Sequence, residues 1–266
     1  MIKMVVTDID GTIADKDANI SQKVRKTIDK LVKKGVKVVL ATGRMFRATY
    51  PVAQDLNLDT PLITYQGGFI KEYKDEQKIL YNKSTDISKA HEVIDYFRSK
   101  NIHINIYVND VLYVENDDEY IKKYIENRNI VYTVVDDLKQ VEMNGLHKVL
   151  GIDKNPEKIK AATKELQDKY GDKLYIIRST PYFCEVSNPE ASKGAALCYL
   201  RDFWGYKPDE VLAIGDQDND IDMIKAAGIG ISMGNGTENL KSVADFVTKS
   251  VDEDGFCYAI ERFCDV

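Results

Sequence analysis

Ile2-Lys3-Met4-Val5-Val6-Thr7-Asp8-Ile9-Asp10-Gly11-Thr12 is the stretch on which the fold turns. A short apolar run stops abruptly at two carboxylates and a glycine, as a buried strand of a parallel sheet does where it gives way to a polar loop. Ionised carboxylates cannot be buried without a counter-charge. Gly11 permits the sharp turn that aims Asp8 and Asp10 into one place, and open α/β sheets bind their ligands at the carboxyl ends of strands. A capped turn uses the same residue types, so the rest of the chain decides.

Downstream, Ser21 is a good N-cap. Val24, Ile28, Leu31 and Val32 follow at helical spacing, and Gly35 closes the helix. Residues 36–41 read as a second strand, 46–56 as a helix despite Pro51, and 62–64 as a third strand. That alternation predicts a parallel sheet. After about Asn82 the rhythm changes. A helix over 86–100, strands near 104–108 and 111–114, and a helix over 117–128 come first. A strand over 148–152, a helix over 156–170 and a hairpin of 174–178 with 182–186 follow. From Ser192 the α/β pattern resumes, with a helix over 192–204, strands at 211–214, 228–232 and 245–247, and helices between and after them. We expect a doubly wound, mostly parallel α/β core of residues 1–82 and 188–266, with an α+β cap of residues 83–187 inserted.

The 266 residues suit one large or two ordinary domains at about 150 residues each. With 44% hydrophobic and 30% charged residues, the chain can build a core. Its 37 basic against 43 acidic residues give a net charge of −6, which argues against a nucleic-acid binder. An anionic substrate must then be drawn by a local cluster or a bound cation. No run approaches the ~20 apolar residues of a membrane span, and the N-terminus carries carboxylates where a signal peptide is apolar. Cys184, Cys198, Cys257 and Cys264 form no C-x-x-C pair and read as reduced thiols of a cytoplasmic protein. His91, His103 and His147 leave little for zinc or histidine catalysis.

A second acidic motif, Gly215-Asp216-Gln217-Asp218-Asn219-Asp220, follows a strand and opens a helix. Asp216 is expected on the sheet edge that carries Asp8 and Asp10. Three carboxylates there repel one another and call for a hard divalent cation, Mg²⁺ where the partner is a phosphate. Asp220 is expected to brace the loop. Two other matches fail. As an EF-hand loop, the run from Asp216 has Ile221 where glycine is needed and Ala227 where glutamate is needed. Gly230-Ile231-Ser232-Met233-Gly234 fits a nucleophile elbow, but no histidine follows it in the chain. Ala41-Thr42-Gly43-Arg44 ends the second strand, and the Thr42 hydroxyl and Gly43 N–H can meet an anion. Ser192-Lys193-Gly194 opens the helix before the Asp216 strand, and Lys193 supplies a point positive charge.

Taken in this order the four motifs resemble the haloacid dehalogenase superfamily of phosphohydrolases. Cys184-Glu-Val-Ser-Asn-Pro189 leading into Ser192-Lys-Gly is similar to its Cof-type sugar phosphatases. The resemblance spans essentially the whole chain. It implies hydrolysis of a small phosphorylated metabolite, a sugar phosphate, with Asp8 as nucleophile and Asp10 as general acid/base. It also implies that Asp8, the Asp10 main-chain carbonyl and Asp216 hold Mg²⁺. Thr42, Gly43, Lys193 and Asn219 match the family's phosphate contacts, with Thr42 and Lys193 also catalytic; Ile9 and Arg44 complete the expected substrate-binding set. Tyr65-Gln66-Gly67-Gly68 departs from the family's pattern, in which Asn usually precedes Gly. The cap is expected to exclude water and select the leaving group. Tyr107, Tyr113, Tyr182 and Phe183 are aromatic candidates there, although strand aromatics more often pack in cores. Arg47 and Arg178 are candidates for a second anionic group, with plain surface exposure as the alternative. A phosphomutase, or a phosphosugar-binding regulator with vestigial hydrolysis, would keep the same motifs. No nucleic-acid or membrane partner is expected.

Overall fold

A computed structural model describes residues 1–74, 78–126 and 130–264. The chain begins with β1 (Met4–Thr7), α1 (Gln22–Lys33), β2 (Lys37–Leu40), α2 (Phe46–Asp55), β3 (Leu62–Thr64), β4 (Phe69–Lys71) and β5 (Ile79–Asn82). It continues with α3 (Ile87–Ser99), β6 (His103–Val108), β7 (Val111–Val114), α4 (Glu119–Ile125), β8 (Tyr132–Val134), β9 (Leu146–Ile152), α5 (Pro156–Tyr170), β10 (Tyr175–Thr180) and β11 (Phe183–Ser187). It closes with α6 (Lys193–Phe203), β12 (Val211–Gly215), α7 (Ile221–Ala226), β13 (Ile229–Ser232), α8 (Glu238–Val243), β14 (Phe246–Val247) and α9 (Gly255–Phe263). Among the described residues no helix is long and apolar enough to cross a membrane.

Two compact units emerge. One holds Met1–Arg44, Thr49–Tyr81 and Ser192–Val266; the other holds Met45–Ala48 and Asn82–Ala191. Relative to the expected insert of 83–187, the second unit begins one residue earlier, ends four later and takes in the start of α2.

The first unit is built on a five-stranded sheet in the order β14-β13-β12-β1-β2, parallel throughout. β1 and β12, near its centre, are buried at every position, which is why they read as continuous apolar runs rather than alternations. Ser21 caps α1 by accepting from the Val24 N–H, and α1 packs on β2 and α9. Leu197 and Leu200 of α6 join Met223 and Ile224 of α7 in a core with Met4, Val6, Val39 and Ala213. One expectation is corrected here. β3 keeps the expected parallel neighbour through one bridge, Ala41 to Ile63, just past β2, but its ladder runs antiparallel with β4 in a small sheet ordered β3-β4-β5. β4 and β5 are too short, and β5 too exposed, to leave a periodic signal.

The second unit holds a six-stranded sheet in the order β10-β11-β9-β6-β7-β8, antiparallel except where β8 joins β7. Val93, Ile94 and Phe97 of α3 and Ile159 and Leu166 of α5 share a core with Ile104, Ile106, Val149 and Val186. By strand alternation His103, Asn105 and Tyr107 of β6, Lys148 of β9 and Glu185 of β11 lie on the opposite face. β8 was not expected, being three half-exposed or exposed residues. α4 starts where Asp118 accepts from the Tyr120 and Ile121 N–H groups; its expected extension through residues 127 and 128 lies outside the described residues.

Candidate active site

β1 and β12 run side by side, so the loops that leave them start from neighbouring points. The Asp8 N–H donates to the Ile214 carbonyl at 3.0 Å, carrying the strand pairing to the residue where chemistry is expected. The Ile9 carbonyl then accepts from the N–H groups of Thr12, Ile13 and Ala14, curling the chain into a tight turn. Ile9 itself is fully buried. Gly11 sits at φ +81°, and a Cβ there would strike the Asp216 carboxylate, so this position must be glycine for both conformation and space.

Asp8, Asp216 and Asp220 converge, all buried, with one oxygen of each within 4.8 Å of the others. Lys193, wholly buried at the start of α6, sits against them. Its Nζ lies 2.9 Å from Asp8 Oδ1 and 2.6 Å from Asp220 Oδ1. Burial alone would lower the lysine pKa, but the Asp220 and Asp8 carboxylates outweigh it and hold the ammonium charged. Asp220 has its other oxygen on the N–H groups of Asp216 and Gln217, at 2.9 and 3.1 Å. It therefore ties the loop to the lysine. Asp216 accepts from the Thr12 hydroxyl and the Gln217 amide. Burial, then the Asp220 charge, pushes Asp216 up to about 6. Burial raises Asp8 well above the carboxylate range; Lys193 pulls it back, while Asp220 and Asp216 push it further up.

The remaining expected residues fall in two places. Thr42 is buried at the end of β2; its hydroxyl accepts from the Arg44 N–H, and Gly43 follows it on the same edge. Asn219 donates its amide to Gln66 at 2.8 Å. Asp10, by contrast, does not join the acidic cluster. Its side chain is exposed and held by both ends of the Arg44 guanidinium, Nε at 2.8 Å on Oδ2 and Nη2 on Oδ1. Stepping off the strand in a tight turn separates two carboxylates that the sequence places side by side. Arg44, expected on substrate, is thereby placed on Asp10, and only the main-chain carbonyl of Asp10 is left as the metal contact that the resemblance implies.

The donor set suits a hard dication. All donors are oxygens, the cluster holds more carboxylates than the one lysine balances, and Gly11 leaves the room that Asp216 occupies. Sequence reasoning assigned no role to Gln66, Thr12, Gln217 or Asn235. Asn235 donates to the Gly11 carbonyl and accepts from the Val251 N–H, anchoring the turn to the far end of the chain. Thr12, Gln66 and Gln217 at least stood inside quoted motifs; Asn235 did not.

In the second unit Tyr107 is buried and donates to the Tyr124 hydroxyl at 2.6 Å, while the Phe183 ring meets Tyr124 at 5.7 Å. Tyr113 packs against the apolar core, and Tyr182 is exposed at the hairpin tip. Arg47 pairs with Asp110 at 3.5 Å, and Arg178 is exposed. Among the described residues no disulfide joins the cysteines, and burial pushes the Cys184 thiol up to about 12.

Residues 5–260 match the family model of haloacid dehalogenase-like hydrolases. The chain is 31% identical to the 5-amino-6-(5-phospho-D-ribitylamino)uracil phosphatase YwtE of Bacillus subtilis, over 98% of each protein. Among solved structures it is similar to a haloacid dehalogenase-like hydrolase from Bacteroides thetaiotaomicron, with a TM-score of 0.88, 30% identity and coverage of 98% of this chain and 99% of that one. A sugar phosphatase of haloacid dehalogenase subclass IIB gives a TM-score of 0.84 at 25% identity, over 99% of this chain and 100% of that one.

Proposed function

The chain belongs to the haloacid dehalogenase-like hydrolases, and from that premise we propose that it is a Mg²⁺-dependent phosphatase acting on a small phosphorylated sugar or sugar alcohol through an aspartyl-phosphate. The observation that carries this reading is the buried Asp8 carboxylate, 2.9 Å from Lys193 and clustered with Asp216 and Asp220. The relatives named for a ribityl phosphate and for sugars support the substrate class.

Asp8 attacks phosphorus in line, forming an Asp8–phosphoryl bond as the bond to the leaving oxygen breaks. Asp10 gives its proton to that oxygen, then takes one from the water that attacks the phosphoryl group and frees Asp8. Because Arg44 occupies both Asp10 oxygens, that pair must open before Asp10 can reach the leaving group. Lys193, fixed by Asp220, presents its ammonium where phosphoryl charge gathers, and Thr42, Gly43 and Asn219 add hydrogen bonds. Mg²⁺ held by Asp8, Asp216 and the Asp10 carbonyl would neutralise the non-bridging oxygens when bound. We assign leaving-group selection to the inserted residues 83–187.

The test is single-turnover trapping of acid-stable or hydroxylamine-sensitive phosphate on Asp8, with a panel of sugar and polyol phosphates compared by kcat/KM. Mg²⁺-dependent label on Asp8 is expected. Full turnover in EDTA, or no label under rapid quench, would overturn the reading. Replacing the insert with a Gly/Ser linker should abolish discrimination among sugars while a small aryl phosphate still reacts.

A further inference from the structure

Asn219 stands in the turn after β12, and its Nδ2 donates to Gln66 Oε1 at 2.8 Å. Among the described residues that is the only side-chain hydrogen bond Asn219 makes, for its Oδ1 is buried with no partner. The orientation of this amide therefore depends on Gln66. An amide nitrogen carries two hydrogens, and Gln66 takes one.

Gln66 comes from an unusual piece of backbone. Tyr65, Gln66 and Gly67 lie in succession at φ +52°, +59° and +98°. Left-handed conformations are disfavoured for residues with a Cβ, and two neighbours in that state persist only where the surroundings over-determine them. Here they do. The Tyr65 N–H donates to the Arg44 carbonyl at 3.0 Å and the Gln66 N–H to the Thr42 carbonyl at 3.1 Å. A Cβ on Gly67 would strike the Ser192 carbonyl and the Lys193 N–H at the start of α6. A Cβ on Gly43 would strike the Gln66 side-chain amide. One loop thus touches the Thr42 motif, the lysine helix and Asn219.

We propose that Gln66 is a positioning residue: its side-chain carbonyl orients the Asn219 amide so that the second Nδ2 hydrogen meets the substrate phosphate, and the left-handed loop is built to deliver that carbonyl. This rests on the reading of Asn219 as a phosphate contact. It also gives Gly43 a reason to be glycine, since a Cβ there would strike the Gln66 amide.

The experiment is a double-mutant cycle read by inhibition with inorganic phosphate and by the split between KM and kcat on an aryl phosphate. Gln66→Met should raise the phosphate Ki and the KM about tenfold, the scale of one hydrogen bond to a charged group, with kcat within about threefold. In an Asn219→Ala background the same change should add less than about twofold. Gln66→Leu, which also lacks the side-chain carbonyl, should reproduce both results. Additive losses, a loss in kcat alone, or failure of both Gln66→Met and Gln66→Leu to fold would overturn the positioning role. An unchanged phosphate Ki in Asn219→Ala alone would instead remove the phosphate-contact reading, and the proposal with it.

Discussion

Both units bury charge, in different proportions. In the second, Lys148 and Glu185 meet at 3.0 Å with side chains 3% and 7% exposed, one cation against one anion. Ser179 donates to the same carboxylate, and the Lys148 ammonium lies 4.9 Å from the centre of the Tyr107 ring. In the first, the single ammonium of Lys193 stands among Asp8, Asp216 and Asp220. A one-to-one pair carries no net charge, whereas one lysine among three carboxylates leaves an excess that protonation or a cation must relieve. Unequal buried charge marks a place for a ligand of the opposite sign.

The largest effect that could break this comparison is at Asp8. Asp8→Asn should lower turnover by roughly four orders of magnitude or more, with no single-turnover phosphoenzyme. Yet it removes one of three crowded like charges, and each pKa unit of such crowding is about 1.4 kcal/mol. Thermal melts in EDTA should therefore place the variant no lower than the wild type. A variant melting several degrees lower would make Asp8 a structural partner of Lys193, and the imbalance would lose its meaning.

Removing one side of the balanced pair should act in the opposite sense. Lys148→Met strands Glu185 in the interior and should cost about 3–5 kcal/mol in urea unfolding, most of it recovered in the double variant with Glu185→Leu. A single variant losing less than about 1 kcal/mol would show that the pair's burial carries little weight.

His147, the neighbour of Lys148 on β9, sharpens the contrast by another route, since it is buried without charge. Burial lowers its pKa to about 4, against about 6.5 in an unfolded chain. Between those values the unfolded state takes up the proton first, so stability falls as the pH drops from about 6.5 towards 4. The total is about 3 kcal/mol, with no slope from this residue above or below that window. Comparing wild type with His147→Gln at pH 7 and pH 4.5 should show the smaller acid loss in the variant; equal losses would refute the assignment.

The smallest effect is the gain from metal. At a hundredfold excess over Kd, Mg²⁺ should stabilise the wild type by about 2.7 kcal/mol, and Asp8→Asn less at the same concentration. Lys148→Met should gain as much as the wild type. If it does not, the two charge clusters are not independent.

The sequence exposed the parts of this molecule whose signals are local. β1 and β12 are unbroken apolar runs, α1 has its cap and its spacing, and each acidic motif sits where a strand stops. What stayed hidden depends on pairing at long range. Asp8 and Asp10 look equivalent on paper, but the Ile9 turn buries one and leaves the other to Arg44. Nothing local in the run shows that Asp220, expected to brace its loop, also ties down Lys193, while Asp218 meets Thr237 and Asn239. Tyr65 and Gln66 gave no hint of left-handed backbone, because neither is a residue type that favours it. The β3-β4-β5 sheet escaped because strands of three or four residues cannot display a period.

The register of the central strands bears on how the chain is made. β1 has β2 on one side, where Met4 pairs with the nearby Lys37, and β12 on the other, where Met4 pairs with the distant Val211. Residues Asn82–Ala191, an uninterrupted run, can collapse onto their own sheet while the ribosome is still delivering the chain. β1 must wait with one edge unsatisfied until Val211 and its neighbours arrive, and long-range strand pairing of this kind is slow and exposed to aggregation. Asp216 and Asp220 lie on the late side of that wait. Catalytic competence therefore cannot precede that pairing, and its appearance during refolding would time the docking of β12 against β1.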